Sequence, residues 1–432
     1  MKKIIKKSKN NSNNFGRPYL LLANSSWYLF HYRKKLISKL NKDNHKIIAL
    51  APFDSSSKEL SKLLTYIPWR IRRKDDLSLI ALIISFIKLY LIIRMLKPKL
   101  VHSHTIRVNL ISSAVCFLYG IPNVISFAGM GKISKKGFFN KLIFKKTLKL
   151  INFFSSRDRI EKFRWEKTDK RARYIFQNPN DLKLFEKNIK SSFIKKELIV
   201  GSGVPFKYLS KKNQNIRNNF WVNSSVRDLQ FNSLTFIFCG RLLYSKGIGT
   251  FLDLANIIPS AKFLVYGGRD ESTNNSISLE KINEISKQNS NISFLGPVID
   301  PLLLEKKSYP VLLVPSEYGE GLPRAILEAF SLKIPVLCSR TATCGIFKEK
   351  QVFISNEKNA LSYKNLVEHM IQEYYDGSLS KRIDYNFKFV SNNFKESMVA
   401  NKTIKLYEEL QLKNNNYLLS KDIDLEKNWI AN

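Results

Sequence analysis

Short runs of apolar residues alternate with longer stretches of helical spacing from about Tyr19 to Leu337. In the first half, Tyr19–Ala23, Lys46–Ala51, Leu100–His102, Asn123–Phe127, Asn152–Ser155 and Arg173–Phe176 predict strands, with Leu198–Val200 closing the series. Helical patterns such as His31–Leu40 and Asn109–Leu118 fall between them. Residues Lys207 to Asn232 are polar and lack a period, which predicts a linker or surface excursion. A second series has strands at Leu234–Cys239, Lys262–Tyr266, Ile292–Leu295, Val311–Val314 and Pro335–Cys338, with helices such as Gly249–Ile257 and Pro323–Leu332 between. Such alternation builds βαβ units on parallel sheets. Two series in a 432-residue chain predict an α/β protein of two doubly wound domains facing across a cleft. The expected divisions are a basic disordered tail over 1–16, an N-terminal domain over 17–206, the excursion over 207–232, a C-terminal domain over 233–395, and a closing helix and tail over 396–432.

Charge changes the picture. The formal net charge is +37, carried mainly by lysine, and it favours anionic partners: nucleic acid, acidic lipid or phosphorylated substrates. The N-terminus has a basic start but no apolar core behind it, so it does not read as a signal peptide. Leu77 to Leu96 approaches the length of a bilayer span, but Lys88 and Arg94 interrupt it, and a buried or interfacial helix is the preferred reading. Cys116, Cys239, Cys338 and Cys344 are scattered, without a CxxC pair, as expected of single buried thiols in a reducing cytoplasm.

In doubly wound sheets ligands bind beyond the carboxyl ends of strands, so the loops there carry the candidate chemistry. Strand Val311–Val314 leads into Glu320-Gly321-Leu322-Pro323 and a helix that contains Glu328, with Pro323 suited to the first helical position. The free N–H groups of that first turn form an anion site, and Gly321 lets a phosphate approach the backbone. Glu320 and Glu328 are acceptors for paired sugar hydroxyls; taken singly, one could equally complement the helix dipole and the other pair with a lysine. Strand Leu234–Cys239 is followed by Arg241, Lys246 and Gly247, where two cations could clamp a diphosphate leaving group.

Together these two segments resemble the retaining glycosyltransferases of family 4, which have the GT-B architecture of two facing Rossmann-like domains. That family has a glutamate–x7–glutamate motif opening a helix and a glycine–arginine–leucine…lysine–glycine loop on the donor diphosphate. The resemblance implies that Arg241 and Lys246 neutralise the diphosphate, Glu328 holds the nucleotide ribose and Glu320 faces the transferred sugar, with Gly247, Gly321 and Leu322 completing the donor site. Asn24-Ser25-Ser26-Trp27-Tyr28, Arg33, Ala51-Pro52-Phe53-Asp54, His102-Ser103-His104-Thr105, Gly129-Met130-Gly131, Phe176-Gln177-Asn178 and Gly203-Val204 resemble the subgroup acting on lipid-linked saccharides in O-antigen, capsule or glycan assembly. The chain departs from the family at Thr343-Cys344-Gly345-Ile346 and at Lys333, where glycine is usual.

His104 aligns by resemblance with a histidine near the reacting sugar; a strand-end histidine bonded to backbone is the competing reading. Asn24 and Ser25 follow the first strand, where they hold an acceptor group or simply cap a helix. Gly129 and Gly131 lie in a loop read as an acceptor contact or as a plain connection. Lys132, Lys135, Lys136, Lys141, Lys145 and Lys146, interleaved with Phe138, Phe139 and Phe144, fit an interfacial helix on an anionic membrane, a nucleic-acid contact without a recognised module, or a solvated face.

The expectation is a transferase moving a hexose or N-acetylhexosamine from a nucleotide-diphosphate sugar, UDP-linked, to a polyprenyl-diphosphate-linked saccharide with retention. It would act peripherally on the inner face of the cytoplasmic membrane, without metal, cofactor or nucleic acid. The rivals are a basic nucleic-acid- or anionic-lipid-binding protein with a degenerate donor site, and a nucleotide-sugar epimerase of the same fold.

Overall fold

The computed structural model describes residues 16–69, 71, 79–130, 138–159, 165–167, 171–190, 193–210, 221, 229–271, 273–303, 309–317 and 321–412. The N-terminal sheet holds β1 (Tyr19–Leu22), β2 (Ile47–Ala51), β3 (Thr65–Pro68), β4 (Leu100–His104), β5 (Asn123–Phe127), β8 (Ala172–Phe176) and β9 (Lys196–Leu198). A short antiparallel pair, β6 (Arg157–Arg159) and β7 (Trp165–Lys167), stands apart from it. The main sheet is parallel throughout, in the order β3-β2-β1-β4-β5-β8-β9. Its covering helices include α1 (Ser26–Lys42), α2 (Ser57–Leu63), α3 (Leu79–Leu96), α4 (Ile106–Tyr119), α5 (Phe138–Ser155) and α6 (Pro179–Asn188). The inner strands β1, β2, β4, β5 and β8 are buried along their whole length, as strands covered on both faces must be.

The C-terminal sheet holds β10 (Leu234–Cys239), β11 (Lys262–Tyr266), β12 (Ile292–Gly296), β13 (Tyr309–Val314), β14 (Val336–Ser339) and β15 (Phe353–Ser355). It too is parallel, in the order β12-β11-β10-β13-β14-β15. Its helices include α7 (Ile248–Ile257), α8 (Leu279–Gln288), α9 (Arg324–Ser331), α10 (Ala360–Tyr375) and α11 (Ser378–Asn393). Strand order reverses between β1 and β4 in one sheet and between β10 and β13 in the other, and those reversals open the crevices in which such sheets bind ligands.

Four expectations are corrected. Asn152–Ser155 is not a strand but the last turn of α5. The strand expected at Leu198–Val200 lies at Lys196–Leu198. Pro323 takes the N-cap position, one residue before the place assigned to it. Most of the 207–232 excursion lies outside the described residues, but Trp221 and Leu229 are buried in the C-terminal core, with the Trp221 ring edge-on to Tyr309 at 5.1 Å. The tail 1–16, apart from Gly16, also lies outside them.

The chain crosses between domains twice, side by side. Val204 donates to Phe394 O at 2.7 Å, and Glu396 donates back to Val204 O at 3.1 Å. The helix over 396–412 then packs onto the N-terminal domain, burying Ala400, Leu406, Tyr407 and Leu410 against residues of β1, β2 and α1. Among the described residues no helix is long and apolar enough to cross a membrane.

Candidate active site

At the C-terminal crevice, the loop after β10 and the loop after β13 touch. Glu317 N–H donates to Ser245 O at 3.0 Å. Lys246 ends a 3₁₀ turn over Tyr244–Lys246, and Gly247, at φ +81°, starts α7. Asn275 braces the turn: its Oδ1 accepts from Ser245 N at 3.1 Å and Oγ at 2.5 Å. Arg241 is salt-bridged to Asp270, in the loop after β11, at 2.6 Å. Its guanidinium is therefore fixed at the crevice by a carboxylate that an incoming diphosphate would compete with.

Glu328 is also engaged. Its Oε1 accepts from Arg324 Nε at 2.7 Å, one helical turn earlier. Arg324 reaches across the cleft, donating through Nη1 to His31 O of α1 at 2.6 Å and lying over the Tyr32 ring at 5.5 Å. Asp300, whose carboxylate accepts from Tyr208 OH at 2.8 Å, adds a second negative field at Glu328. Burial pushes the Glu328 carboxyl above its ordinary range, and the Arg324 cation opposes that. His31 is driven down to about 4, chiefly by burial and then by Arg324, so it is neutral at physiological pH. Glu320 lies outside the described residues. Its neighbour Gly321 is pressed against the N-terminal domain: a Cβ there would stand 3.3 Å from Gln177 Oε1 and 3.5 Å from Gly129 N. Leu322 packs on Gly201. Cys344, in the loop that departs from the family, is 3.1 Å through its sulfur from Gly321 O. That loop therefore buttresses the segment that leads into α9. Lys333 holds φ +56°, the left-handed region where glycine is unstrained, and it pairs with Asp384 at 2.7 Å.

On the N-terminal side, His104 takes the place of a strand-end histidine bonded to backbone. Its ring is fully buried, and both nitrogens are engaged: Nδ1–H donates to Leu22 O at 2.9 Å, and Nε2 accepts from Arg33 Nε at 2.9 Å. Burial first, then the Arg33 cation, holds its pKa well below the usual value. The neutral ring holds Arg33 in place. Arg33 in turn donates to Tyr28 OH at 2.9 Å, which also accepts from Gln177 Nε2 at 3.2 Å. His102 stacks beside His104 and joins Ser126 Oγ at 2.7 Å and the Tyr407 hydroxyl of the closing helix. Thr105, next in the chain, is held at φ +75°, a conformation costing a β-branched residue about 1–3 kcal/mol and typical of sites that are built for function. Ser25 caps α1, accepting from Tyr28 N at 3.2 Å, and Asn24 stands just before it at the carboxyl end of β1.

The loop at Gly129 and Met130 rests on a residue that motif reading passed over. Asp181 accepts from Gly129 N and Met130 N, each at 3.1 Å, and from Asn178 Nδ2 at 2.9 Å. The signal for it was the cap pattern at the start of α6, where Asn178 Oδ1 accepts from Asp181 N at 2.8 Å. Gly131 lies outside the described residues. Burial, opposed by those three hydrogen bonds, pushes Asp181 from 3.8 up to about 6. Between these values the folded protein holds a proton that the unfolded chain has released, so stability from this group is lost as pH rises from about 4 to 6. Asp181→Asn should flatten that component, changing the wild-type-minus-variant stability difference by about 3 kcal/mol across the window. Urea unfolding of both proteins at pH 4, 5, 6 and 7 measures it; a difference that does not move with pH refutes the assignment.

Two facing Rossmann-like domains, with cationic and carboxylate-bearing loops at the switch point of the second, define a GT-B architecture. Residues 19–157 match the family described as "Glycosyl transferase 4-like", and residues 233–373 match "Glycosyl transferases group 1". An uncharacterised glycosyltransferase of Methanocaldococcus jannaschii is 28% identical over 267 residues, 59% of this chain and 60% of that protein. The capsular polysaccharide biosynthesis glycosyltransferase CapM of Staphylococcus aureus is 24% identical over 414 residues, 93% of this chain and 97% of CapM. HepE of Anabaena, solved with UDP, superposes with a TM-score of 0.65 at 13% identity, covering 90% of this chain and 99% of HepE. The chain is a glycosyltransferase of GT-B fold.

Proposed function

We propose that the enzyme moves a hexose or N-acetylhexosamine from a UDP-linked donor to a polyprenyl-diphosphate-linked saccharide, with retention, in cell-surface polysaccharide assembly. Its place would be the inner face of the cytoplasmic membrane. The observation that carries this reading is the meeting of the Arg241–Gly247 loop with the loop after β13 at the β10/β13 switch point, while Gly321, just before α9, lies against the Gly129 loop. As the bond from the anomeric carbon to the diphosphate breaks, its electron pair passes to a phosphate oxygen, an acceptor hydroxyl oxygen bonds to the anomeric carbon on the same face, and the hydroxyl proton goes to the departing diphosphate. Lys246, Arg241 and the first-turn N–H groups of α9 neutralise that charge. Glu328 takes ribose hydroxyls, Glu320 the sugar, and the loop held by Asp181 takes the acceptor. The likeness to CapM and to the UDP-bound HepE fold supports a nucleotide-sugar donor and a role in polysaccharide synthesis.

Lys246→Ala is expected to lower turnover roughly 100-fold, the loss typical of one preorganised charge donor, while the protein stays folded. Mass spectrometry over a panel of nucleotide sugars, with and without a polyprenyl-diphosphate saccharide, reads both donor and product. An altered nucleotide sugar formed without acceptor would make the chain an epimerase. Thermal stabilisation by single-stranded DNA and not by UDP would make it a basic binding protein.

A further inference from the structure

We propose that the outer face of α3, together with the exposed face of α5, docks this enzyme on an anionic bilayer. The inference deepens the lipid-linked reading above and rests on it for its purpose, though not for its geometry. Helix α3 is apolar nearly all round, as a helix buried on every side would be. It is not buried on every side. Leu89, Ile92 and Ile93 enter the core beside Leu20, Leu22, Ile48 and Leu50. Ile80, Ile83, Ile84, Ile87, Leu91 and Met95 stand between 47% and 69% exposed. At about 100° per residue these six fall within an arc of about 120°. Together they offer roughly 500 Å² of apolar surface, the size of the largest patch on a typical monomer, which is often functional.

Charge selects the occupant. Between Asp76 and Asp158 the chain has no Asp or Glu and thirteen Lys and Arg, while all thirty-five acids lie elsewhere. A general lysine bias does not explain the missing acids. Lys88 and Arg94 sit within the exposed face of α3. Helix α5 flanks α4 on the side opposite α3, and it exposes Lys141, Lys145, Lys146 and Lys149 around Leu142, Ile143 and Leu150. A second copy of the same face would set these cations against each other, and nucleic acid has no use for six aliphatic side chains. An interfacial layer of acyl chain and anionic headgroup satisfies both features. The helix is about 27 Å long and half packed into the core, so it lies along a bilayer without entering across it. Because α3 runs back from the carboxyl edge of the sheet, its Ile80 end and the start of α5 lie on the cleft side. A lipid-borne acceptor would have a short path from there to the Gly129 loop.

The test is flotation of the full chain with vesicles of phosphatidylcholine alone or with one third phosphatidylglycerol. Wild type should bind the anionic vesicles at least tenfold more than the neutral ones, and less at high salt. Ile84→Asp with Leu91→Asp should lose at least tenfold of that binding, and Lys141, Lys145, Lys146 and Lys149 changed together to Gln should lose most of the preference for the anionic lipid. Stabilisation by UDP should be unchanged in both variants, which shows that they are folded and separates the two readings. Vesicle binding with no UDP effect in wild type leaves the docking face standing and removes the donor assignment. Equal vesicle binding by wild type and variants overturns the docking face, as does a wild-type dimer that the aspartates convert to monomer.

Discussion

Glu328→Ala should lower kcat/KM by about 1000-fold and, unlike Lys246→Ala, should also lower stability, by about 3 kcal/mol. The two losses have different origins. Arg324 and Glu328 are mostly withdrawn from solvent, with side chains 17% and 14% exposed, and removing the carboxylate leaves the guanidinium buried with fewer partners. The remaining bond to His31 O and the Tyr32 ring keep the cost below that of a wholly orphaned charge. Glu328→Gln separates the effects, because the amide oxygen still accepts from Arg324 Nε while the formal charge is gone. The Gln variant should recover most of the stability and only part of the turnover. Chemical denaturation and UDP-induced stabilisation, measured on both variants, decide the matter. Undiminished UDP stabilisation in both would make Glu328 a strut for Arg324 and remove it from the donor site.

The structure places this pair as an interdomain tie, which no local pattern announces. Pairing of Arg324 with Glu328 is legible as a four-residue spacing, but the bond to His31 O depends on how two domains meet. The strands of both sheet centres were readable because burial on two faces forces unbroken apolar runs. Edge strands β3 and β15 went unseen, since Thr65–Pro68 is only half covered and Phe353–Ser355 is three residues long. The Asn152–Ser155 error has the same root: four residues with two phenylalanines suit the end of a buried helix as well as a strand. His104 drew attention as one of five histidines, and its strand-end place was right. What hid its role was topology, because β4 lies between β1 and β5 under α1 and the closing helix, which seals the ring inside. The place of the loops after β10 and β13 was legible for the opposite reason. Loops after switch-point strands are fixed by strand order, and their glycines mark where backbone must pass close to backbone.

Gly247→Ala tests that last point and should destabilise the protein by on the order of 3 kcal/mol, while weakening UDP binding in whatever fraction stays folded. A left-handed φ of +81° costs an alanine about 1 kcal/mol by itself. The added Cβ would also stand 2.3 Å from Pro315 O and 2.7 Å from Pro315 C, and a backbone carbonyl at the end of β13 has no rotamer by which to withdraw. Relief requires the Arg241–Gly247 loop to part from the loop after β13, which breaks the Glu317–Ser245 bond and separates the two halves of the proposed donor site. Gly249→Ala, two residues on, is the internal control. Its Cβ meets only the Tyr244 ring, Cδ1 at 3.5 Å and Cε1 at 3.9 Å, and it lies within α7, so alanine there should leave stability unchanged or raise it by up to about 1 kcal/mol. If Gly247→Ala unfolds at the wild-type denaturant midpoint with full UDP stabilisation, the two loops do not pack as described. If only Gly247→Ala falls and takes UDP binding with it, close packing of these loops is what holds the donor diphosphate in place.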